Sequence, residues 1–295
     1  MFNKIVVVEP VYIKKEGLIE LKKYCKELKG FKTEAKTNEE KIKRINDADC
    51  ILISHNTILD KDVLDNCPNL KFIHLCCSYY GTQFCKTDIE HVIKKGINFA
   101  YLKEYGDNGV VEYTVASVIN LQHGICGKKW RKEVNDLTAI KVGILGLGDL
   151  GTKIAKAFNF FGTKVYYFSK TRKIELESDN LIYKPLDDLL KSVDVLSINL
   201  NRDVCLIGGD KLKIFGNNKI IVNTSIGQCY ELSSLKKWLK CKDNFYVCDS
   251  TNINNSQELL NFENVVCLNH ESGVTKETLD RATEQIIENI KTYSK

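Results

Sequence analysis

Three glycines give the clearest chemical signal in the sequence: Gly146, Gly148 and Gly151, spaced as G-x-G-x-x-G. The apolar segment Val142–Leu145 precedes them, and the segment Leu150–Phe160 follows with the spacing of an amphipathic helix. In such a strand–turn–helix unit the first glycine allows a tight turn, and the second lets the backbone approach a pyrophosphate. The third lets the helix pack closely on the strand. The pattern therefore predicts a dinucleotide-binding turn.

The first turn of the predicted helix belongs to the same site. Helix N-termini present free N–H groups and a positive dipole end, which suit phosphate groups. Asp149 and Leu150 occupy this turn, and we include both among the predicted cofactor-binding residues.

The residues after the next predicted strand, Lys164–Phe168, indicate which dinucleotide binds. An NAD-binding domain usually places Asp or Glu there to bond the ribose hydroxyls. Here Ser169 occupies that position, and Lys170, Arg172 and Lys173 follow. Hydroxyl and cationic groups suit a 2′-phosphate, which a carboxylate would repel. We expect NADP(H) to be preferred over NAD(H), with Ser169, Lys170 and Arg172 around the 2′-phosphate; the alternative is a solvated basic loop without phosphate contact.

Further motifs occur along nearly all of the 295 residues. They are Leu70–Ile73, Asp88–Glu90, Lys95–Ile97, Gly109–Glu112, Val142–Gly151, Val165–Arg172, Asn223–Gly227, Asp249 and Val265–His270. Their order resembles the D-isomer-specific 2-hydroxyacid dehydrogenase family, in which Asn223–Gly227 falls on N-T-A-R-G and Val265–His270 on V-I-L-T-P-H. The resemblance implies dinucleotide-dependent hydride transfer, with Thr224 and Asp249 also at the cofactor.

The resemblance also implies a catalytic set of Arg, Glu and His. The chain carries His270 at the position of the acid/base, but Ile226 at the position of the Arg that grips a substrate carboxylate. Asn254 stands where the family has the Glu that raises the basicity of the His. We therefore expect His270 to be catalytic in an atypical site.

The segment Cys76–Thr87 resembles a lengthened, aromatic version of the family's substrate loop. The predicted substrate pocket comprises Ser78, Tyr79, Tyr80, Lys103, Ile226 and Asn254. Lys103 is one candidate for the missing cation and Arg281 is another; His74 and Tyr80 are weaker candidate donors.

Short apolar runs alternate with amphipathic segments along the chain, a pattern typical of parallel sheets covered by helices. The runs are Ile5–Val8, Ile51–Ile53, Phe72–Leu75, Ile97–Tyr101, Val142–Leu145, Val165–Phe168, Val195–Ile198, Ile220–Val222, Phe245–Cys248 and Val265–Leu268. The predicted helical segments include Gly17–Leu28, Val110–Leu121, Leu150–Phe160, Leu232–Leu239 and Lys276–Thr292. We expect two doubly wound α/β domains with parallel sheets. A flavodoxin-like substrate domain would cover residues 1–110, with 273–295 returning to it, and a Rossmann cofactor domain would cover 111–272.

Composition excludes several other classes of protein. The 43 basic and 38 acidic residues are well mixed, without the basic, aromatic stripe of a nucleic-acid binder. No apolar run reaches the ~18 residues of a membrane helix, and the N-terminus resembles a strand more than a signal peptide. The 12 cysteines lack metal-ligand spacing and suit free thiols in the cytoplasm. We expect a cytoplasmic protein with no metal site and no nucleic-acid or membrane partner.

Two functions remain open on the sequence. The first is an NADP(H)-dependent oxidoreductase acting on a small carbonyl or hydroxy compound. The second is a catalytically impaired NADP(H)-binding protein with a regulatory or sensor role. The family resemblance further implies a homodimer formed through the cofactor domain.

Overall fold

The computed structural model describes residues 1–82, 85–202, 204–253 and 256–294, which form two compact units. The first unit contains Met1–Tyr105 together with the C-terminal segment that begins at Thr275. The second unit contains Gly106–Val274. No helix among the described residues is long and apolar enough to cross a membrane.

The first unit is built on a parallel sheet that has five strands among the described residues. Its elements are β1 (Phe2–Val7), α1 (Lys15–Leu21), β2 (Cys25–Gly30), α2 (Asn38–Ile45), β3 (Cys50–Ile53), α3 (Lys61–Asp65), β4 (Phe72–Ser78), α4 (Ile89–Lys94) and β5 (Asn98–Leu102), followed much later by the C-terminal helix (Lys276–Tyr293). The strand order β2-β1-β3-β4-β5 is the flavodoxin-like order. The prediction of a doubly wound parallel sheet is confirmed here.

The C-terminal helix covers one face of this sheet. Its buried residues Ala282, Ile286 and Ile290 pack in one cluster with Ile5 of β1 and Phe72 of β4. Burial of an isoleucine side chain such as Ile286 or Ile290 stabilises the fold by about 1.5–3 kcal/mol. The helix is therefore a structural part of the first unit.

The predicted helix Gly17–Leu28 is wrong in its second half. The helix α1 ends at Leu21, and residues Cys25–Gly30 form strand β2, which pairs in parallel with β1. Strand β2 lies at the edge of the sheet and buries only Cys25, so its Lys and Glu residues carry no strand-like alternation. Backbone pairing with β1 overrides the helical propensity of these residues.

The second unit is built on a larger parallel sheet, with seven strands among the described residues. Its elements are α5 (Asp107–His123), β6 (Lys141–Leu145), α6 (Asp149–Phe160), β7 (Lys164–Phe168), β8 (Leu181–Tyr183), α7 (Leu186–Ser192), β9 (Val195–Ile198), α8 (Gly209–Phe215), β10 (Ile220–Asn223), α9 (Leu232–Trp238), β11 (Phe245–Cys248), α10 (Ser250–Ile253) and β12 (Val265–Cys267). The order β12-β11-β10-β9-β6-β7-β8 is that of a Rossmann fold with an added strand. The predicted Rossmann class is confirmed.

The sheet of the second unit reverses its winding between β6 and β9, which are neighbours. In open α/β sheets, ligands bind at the carboxyl ends of the strands beside this point. The glycine turn follows β6 directly. All strand pairs of this sheet are parallel, so the loops after β7, β9, β10, β11 and β12 leave from the same edge.

Candidate functional site

Two positions of the turn accept only glycine, because backbone atoms lie too close for a Cβ atom. Gly146 has φ +96°, and a Cβ there would lie 2.3 Å from the carbonyl oxygen of Asn199. A Cβ at Gly151 would lie 2.1 Å from the carbonyl oxygen of Gly146. The Gly146 N–H donates to the carbonyl oxygen of Phe168 at 2.8 Å, which fixes the turn against β7. Any larger residue at either position would displace main chain.

The third glycine leaves an open cradle at the start of α6. Gly148 is the N-cap of this helix, which has no capping side chain, and a Cβ built at Gly148 meets nothing within 4 Å. The Oδ1 atom of Asn199, at the end of β9, is buried and has no hydrogen-bond partner among the described residues. Free helix N–H groups and open space fit a pyrophosphate. Asp149 is exposed and Leu150 half-buried in the first turn of this helix.

The residues predicted to face a 2′-phosphate lie together after β7. Ser169 is half-buried, and Lys170 is exposed. The guanidinium of Arg172 is paired with the carboxylate of Glu177, with its Nε atom 2.7 Å from Oε1. Glu177 carries no signal in the sequence, because no spacing rule links a loop acid to an arginine five residues earlier. The residue directly after β7 is Ser169, which carries a hydroxyl where NAD-binding domains usually have a carboxylate.

The loop after β10 is held by a buried polar network. Ser225 Oγ donates to the carbonyl oxygen of Ile198 at 3.0 Å and accepts from the Leu200 N–H at 3.0 Å. The side chain of Asn252 on α10 donates to the Ser225 carbonyl oxygen at 3.0 Å. This network fixes the backbone on both sides of the half-buried Thr224 and of Ile226, whose side chain is 41% exposed.

Asp249 joins the end of β11 to the segment that carries His270. The buried carboxylate accepts from the N–H and the hydroxyl of Ser272, at 3.0 and 2.7 Å, through Oδ2. Its Oδ1 accepts from the Asn252 N–H at 3.2 Å, and the Ser250 N–H donates to the His270 carbonyl oxygen at 3.3 Å. Asp249 therefore braces this segment, a structural role that its position in the sequence does not indicate.

The ring of His270 is exposed at this edge and has no hydrogen-bond partner among residues 1–82, 85–202, 204–253 and 256–294. It is thus accessible for proton exchange. Asn254, predicted at the position of the family's Glu, lies outside the described residues.

The remaining substrate-pocket predictions fall in the first unit. Ser78 ends β4, and the ring of Tyr79 lies against those of Phe99 and Tyr101, with centroids 5.4 and 5.2 Å away. Tyr80 is exposed. The Lys103 ammonium lies 5.3 Å from the centroid of the Tyr101 ring. Ser78 therefore lies at the end of β4, Tyr79 and Tyr80 follow it directly, and Lys103 follows β5.

The alternative donors in this unit differ in accessibility. Arg281 is half-buried and donates through Nε to the Tyr105 carbonyl oxygen at 2.8 Å. His74 is fully buried, and Asn289 Nδ2 lies 3.1 Å from its Nε2. Burial lowers the pKa of His74 to about 4. His74 therefore belongs to the core of the unit and not to a site open to substrate.

These features define the second unit as a dinucleotide-binding domain of the oxidoreductase type. A family model described as "D-isomer specific 2-hydroxyacid dehydrogenase, NAD binding domain" matches residues 114–272. The chain belongs to the D-isomer specific 2-hydroxyacid dehydrogenase family.

Proteins that are similar to this chain support this assignment. Glyoxylate reductase from Aeropyrum pernix is 26% identical, over 86% of this chain and 82% of that protein. Glyoxylate reductase from Pyrococcus horikoshii is 28% identical over 68% of this chain, and the match spans 65% of that protein. Among solved structures, an acyclic imino acid reductase in complex with NADPH and D-Arg has a TM-score of 0.81 at 18% identity, covering 98% of this chain and 96% of that one. The structural likeness at this identity concerns the fold.

Proposed function

We propose that the protein is an NADP(H)-dependent oxidoreductase of the 2-hydroxyacid dehydrogenase type, with an altered substrate site. The observation that carries the cofactor preference is Ser169, a hydroxyl at the strand end where NAD-binding domains have a carboxylate. The cofactor would be held by the Gly148 cradle and the first turn of α6, with Thr224 and Asp249 further along the same edge. Lys170 and Arg172 add positive charge beside Ser169. The bound nicotinamide would supply or accept a hydride.

The proposed catalytic residue is His270, which would exchange a proton with the carbonyl or hydroxyl oxygen of the substrate. Its exposed ring leaves both nitrogens available for this role. Ile226 offers no cation for a substrate carboxylate, so a neutral carbonyl compound suits the site better than a 2-oxoacid. Ser78, Tyr79, Tyr80, Lys103 and Asn254 remain proposed pocket residues.

We also propose that the two domains have different functions. Residues 1–110 with 273–295 would bind substrate, and residues 111–272 would bind the cofactor. We further propose a cytoplasmic homodimer that pairs through the second unit.

The cofactor preference is tested by measuring the dissociation constants of NADPH and NADH from cofactor fluorescence. We expect tighter NADPH binding, which the double substitution Ser169→Asp, Arg172→Ala should reverse. Loss of a charge-assisted hydrogen bond weakens binding by roughly tenfold or more. Equal affinity of the unchanged protein for both cofactors would contradict the proposal.

Activity is tested by following NADPH oxidation with aldehydes, ketones and 2-oxoacids. Turnover of a neutral carbonyl that is lost in His270→Ala supports the oxidoreductase. Tight NADPH binding without turnover of any compound would instead favour the regulatory or sensor protein.

A further inference from the structure

The guanidinium of Arg172 is held along one edge by Glu177. Arg172 Nε donates to Oε1 at 2.7 Å and Nη2 donates to Oε2 at 2.7 Å, so both carboxylate oxygens are engaged. The guanidinium carbon also lies 5.3 Å from the centroid of the Tyr183 ring. This two-point contact over an aromatic ring limits rotation of the arginine side chain and leaves the Nη1 donors outside the pair.

A side chain of strand β7 holds Glu177 in turn. The Tyr167 hydroxyl donates to Glu177 Oε1 at 2.8 Å and accepts from the Lys173 N–H at 2.9 Å. Tyr167 is fully buried in the strand that ends at the predicted phosphate residues. A continuous chain of hydrogen bonds therefore connects the sheet to the guanidinium.

Arg172 is more exposed to solvent than Glu177. The side chain of Arg172 is 53% exposed, whereas that of Glu177 is 19% exposed. The bonds from Arg172 and Tyr167 lower the pKa of Glu177 to about 2, so this carboxylate stays charged at neutral pH. A ligand that approaches the loop from solvent meets the guanidinium more readily than the acid.

We propose that Glu177 is a positioning residue for NADP(H) preference, which acts by holding Arg172 in the orientation that receives the 2′-phosphate. This inference rests on the proposed function, because it assumes that Arg172 contacts that phosphate. A pre-oriented arginine loses less conformational freedom when it binds an anion. If the Glu177 charge instead mainly cancelled that of Arg172, removal of the Glu177 charge would strengthen binding of the 2′-phosphate.

The test uses the full-length protein and two probes that differ by one phosphate, adenosine 2′,5′-bisphosphate and 5′-AMP. Their dissociation constants are measured by isothermal titration calorimetry for the unchanged protein and for Glu177→Gln, Arg172→Ala and the double variant. Asp187→Asn is a matched control, because Asp187 forms another partly exposed ion pair in this unit, with Lys211 at 2.7 Å. Circular dichroism confirms that each variant is folded.

We expect Arg172→Ala to weaken binding of the bisphosphate about tenfold, because it removes a charge-assisted contact. Glu177→Gln should weaken binding about threefold, because only part of that contact is lost. Binding of 5′-AMP should be unchanged in both variants, and Asp187→Asn should alter neither constant. The double variant should bind no more weakly than Arg172→Ala, because Glu177 acts only through Arg172.

Bisphosphate binding by Glu177→Gln that is unchanged or tighter would overturn the inference. If Arg172→Ala still weakened the bisphosphate, the proposed cofactor preference would survive that result. If Arg172→Ala had no effect, the assumed phosphate contact would itself be wrong. Should Glu177→Gln not fold, Arg172→Lys is the second variant, since it keeps the charge but cannot make the two-point contact; it should weaken the bisphosphate, and unchanged binding would refute the positioning role.

Discussion

Replacement of Gly148 by alanine is predicted to weaken cofactor binding, whereas replacement of Gly151 by alanine is predicted to destabilise the fold. A methyl group at Gly148 meets no atom within 4 Å, and its backbone, at φ −85°, is open to alanine. Because glycine is a better N-cap than alanine, we expect the free energy of unfolding to change by no more than about 1 kcal/mol. The same methyl group would occupy the cradle proposed for the pyrophosphate. Loss of one N–H contact to a charged phosphate would weaken NADPH binding by about 10- to 150-fold.

Gly151→Ala should instead damage the fold itself. Its methyl group would lie 2.1 Å from the Gly146 carbonyl oxygen and 3.1 Å from Ile144 Cγ2, so helix α6 must move away from β6. Overpacking of this kind costs about 1–3 kcal/mol or more. Gly30→Ala serves as a control, since its added Cβ would lie at an ordinary 3.6 Å from Val7 Cβ in the first unit.

The assays are urea unfolding, followed by circular dichroism, and NADPH titration, followed by cofactor fluorescence. The reasoning predicts a stable Gly148→Ala protein that binds NADPH weakly. A folded Gly148→Ala protein with unchanged NADPH affinity would show that the pyrophosphate does not lie over this residue.

The other predictions concern catalysis, the buried histidine and the Asp249 brace. Ile226→Arg should raise kcat/KM for glyoxylate relative to a neutral aldehyde, and an unchanged ratio in steady-state assays would count against the proposed position of the substrate carboxylate. Burial lowers the pKa of His74 from 6.5 to about 4, so protonation favours the unfolded chain. Unfolding free energy should thus be level above pH 6.5 and fall by up to about 3 kcal/mol on acidification to pH 4; His74→Gln should remove this portion of the pH dependence in urea titrations. Ser272→Ala should lower the unfolding free energy by about 1.5–3 kcal/mol, because the buried Asp249 carboxylate loses a donor, and urea unfolding at pH 7 measures this loss.

The glycine turn could be predicted because backbone geometry at these positions leaves little choice of residue. Gly146 adopts a positive φ, and both Gly146 and Gly151 lie against carbonyl oxygens. Three central strands of the second sheet were predictable for another reason: β9, β10 and β11 are buried at every position and read as continuous apolar runs. The short edge strand β8, which buries only Leu181, was not predicted.

Other features depend on contacts that leave no periodic pattern. Strand β2 forms at a sheet edge from largely exposed residues, so only its pairing with β1 defines it. The ion pair between Glu177 and Arg172 joins two side chains, and the bond from the Asn252 side chain to the Ser225 carbonyl oxygen joins a side chain to the backbone; both depend on loop geometry. Such contacts follow from the fold and could not be derived from residue spacing.

Ser225 and Ile226 separate the residue that holds the loop after β10 from the residue that is proposed to meet the substrate. Ser225 holds the loop after β10 through three groups: its hydroxyl bonds to the backbone of Ile198 and Leu200 at the end of β9, its N–H to the Asn223 side chain, and its carbonyl oxygen to the Asn252 side chain. Ile226 projects a 41% exposed side chain from that fixed backbone. Exchange of the side chain at position 226 therefore costs the fold little, because surface substitutions away from such contacts usually change stability by no more than about 0.5 kcal/mol. The residues that hold the loop and the residue that would meet the substrate are thus separate, and each can change without the other.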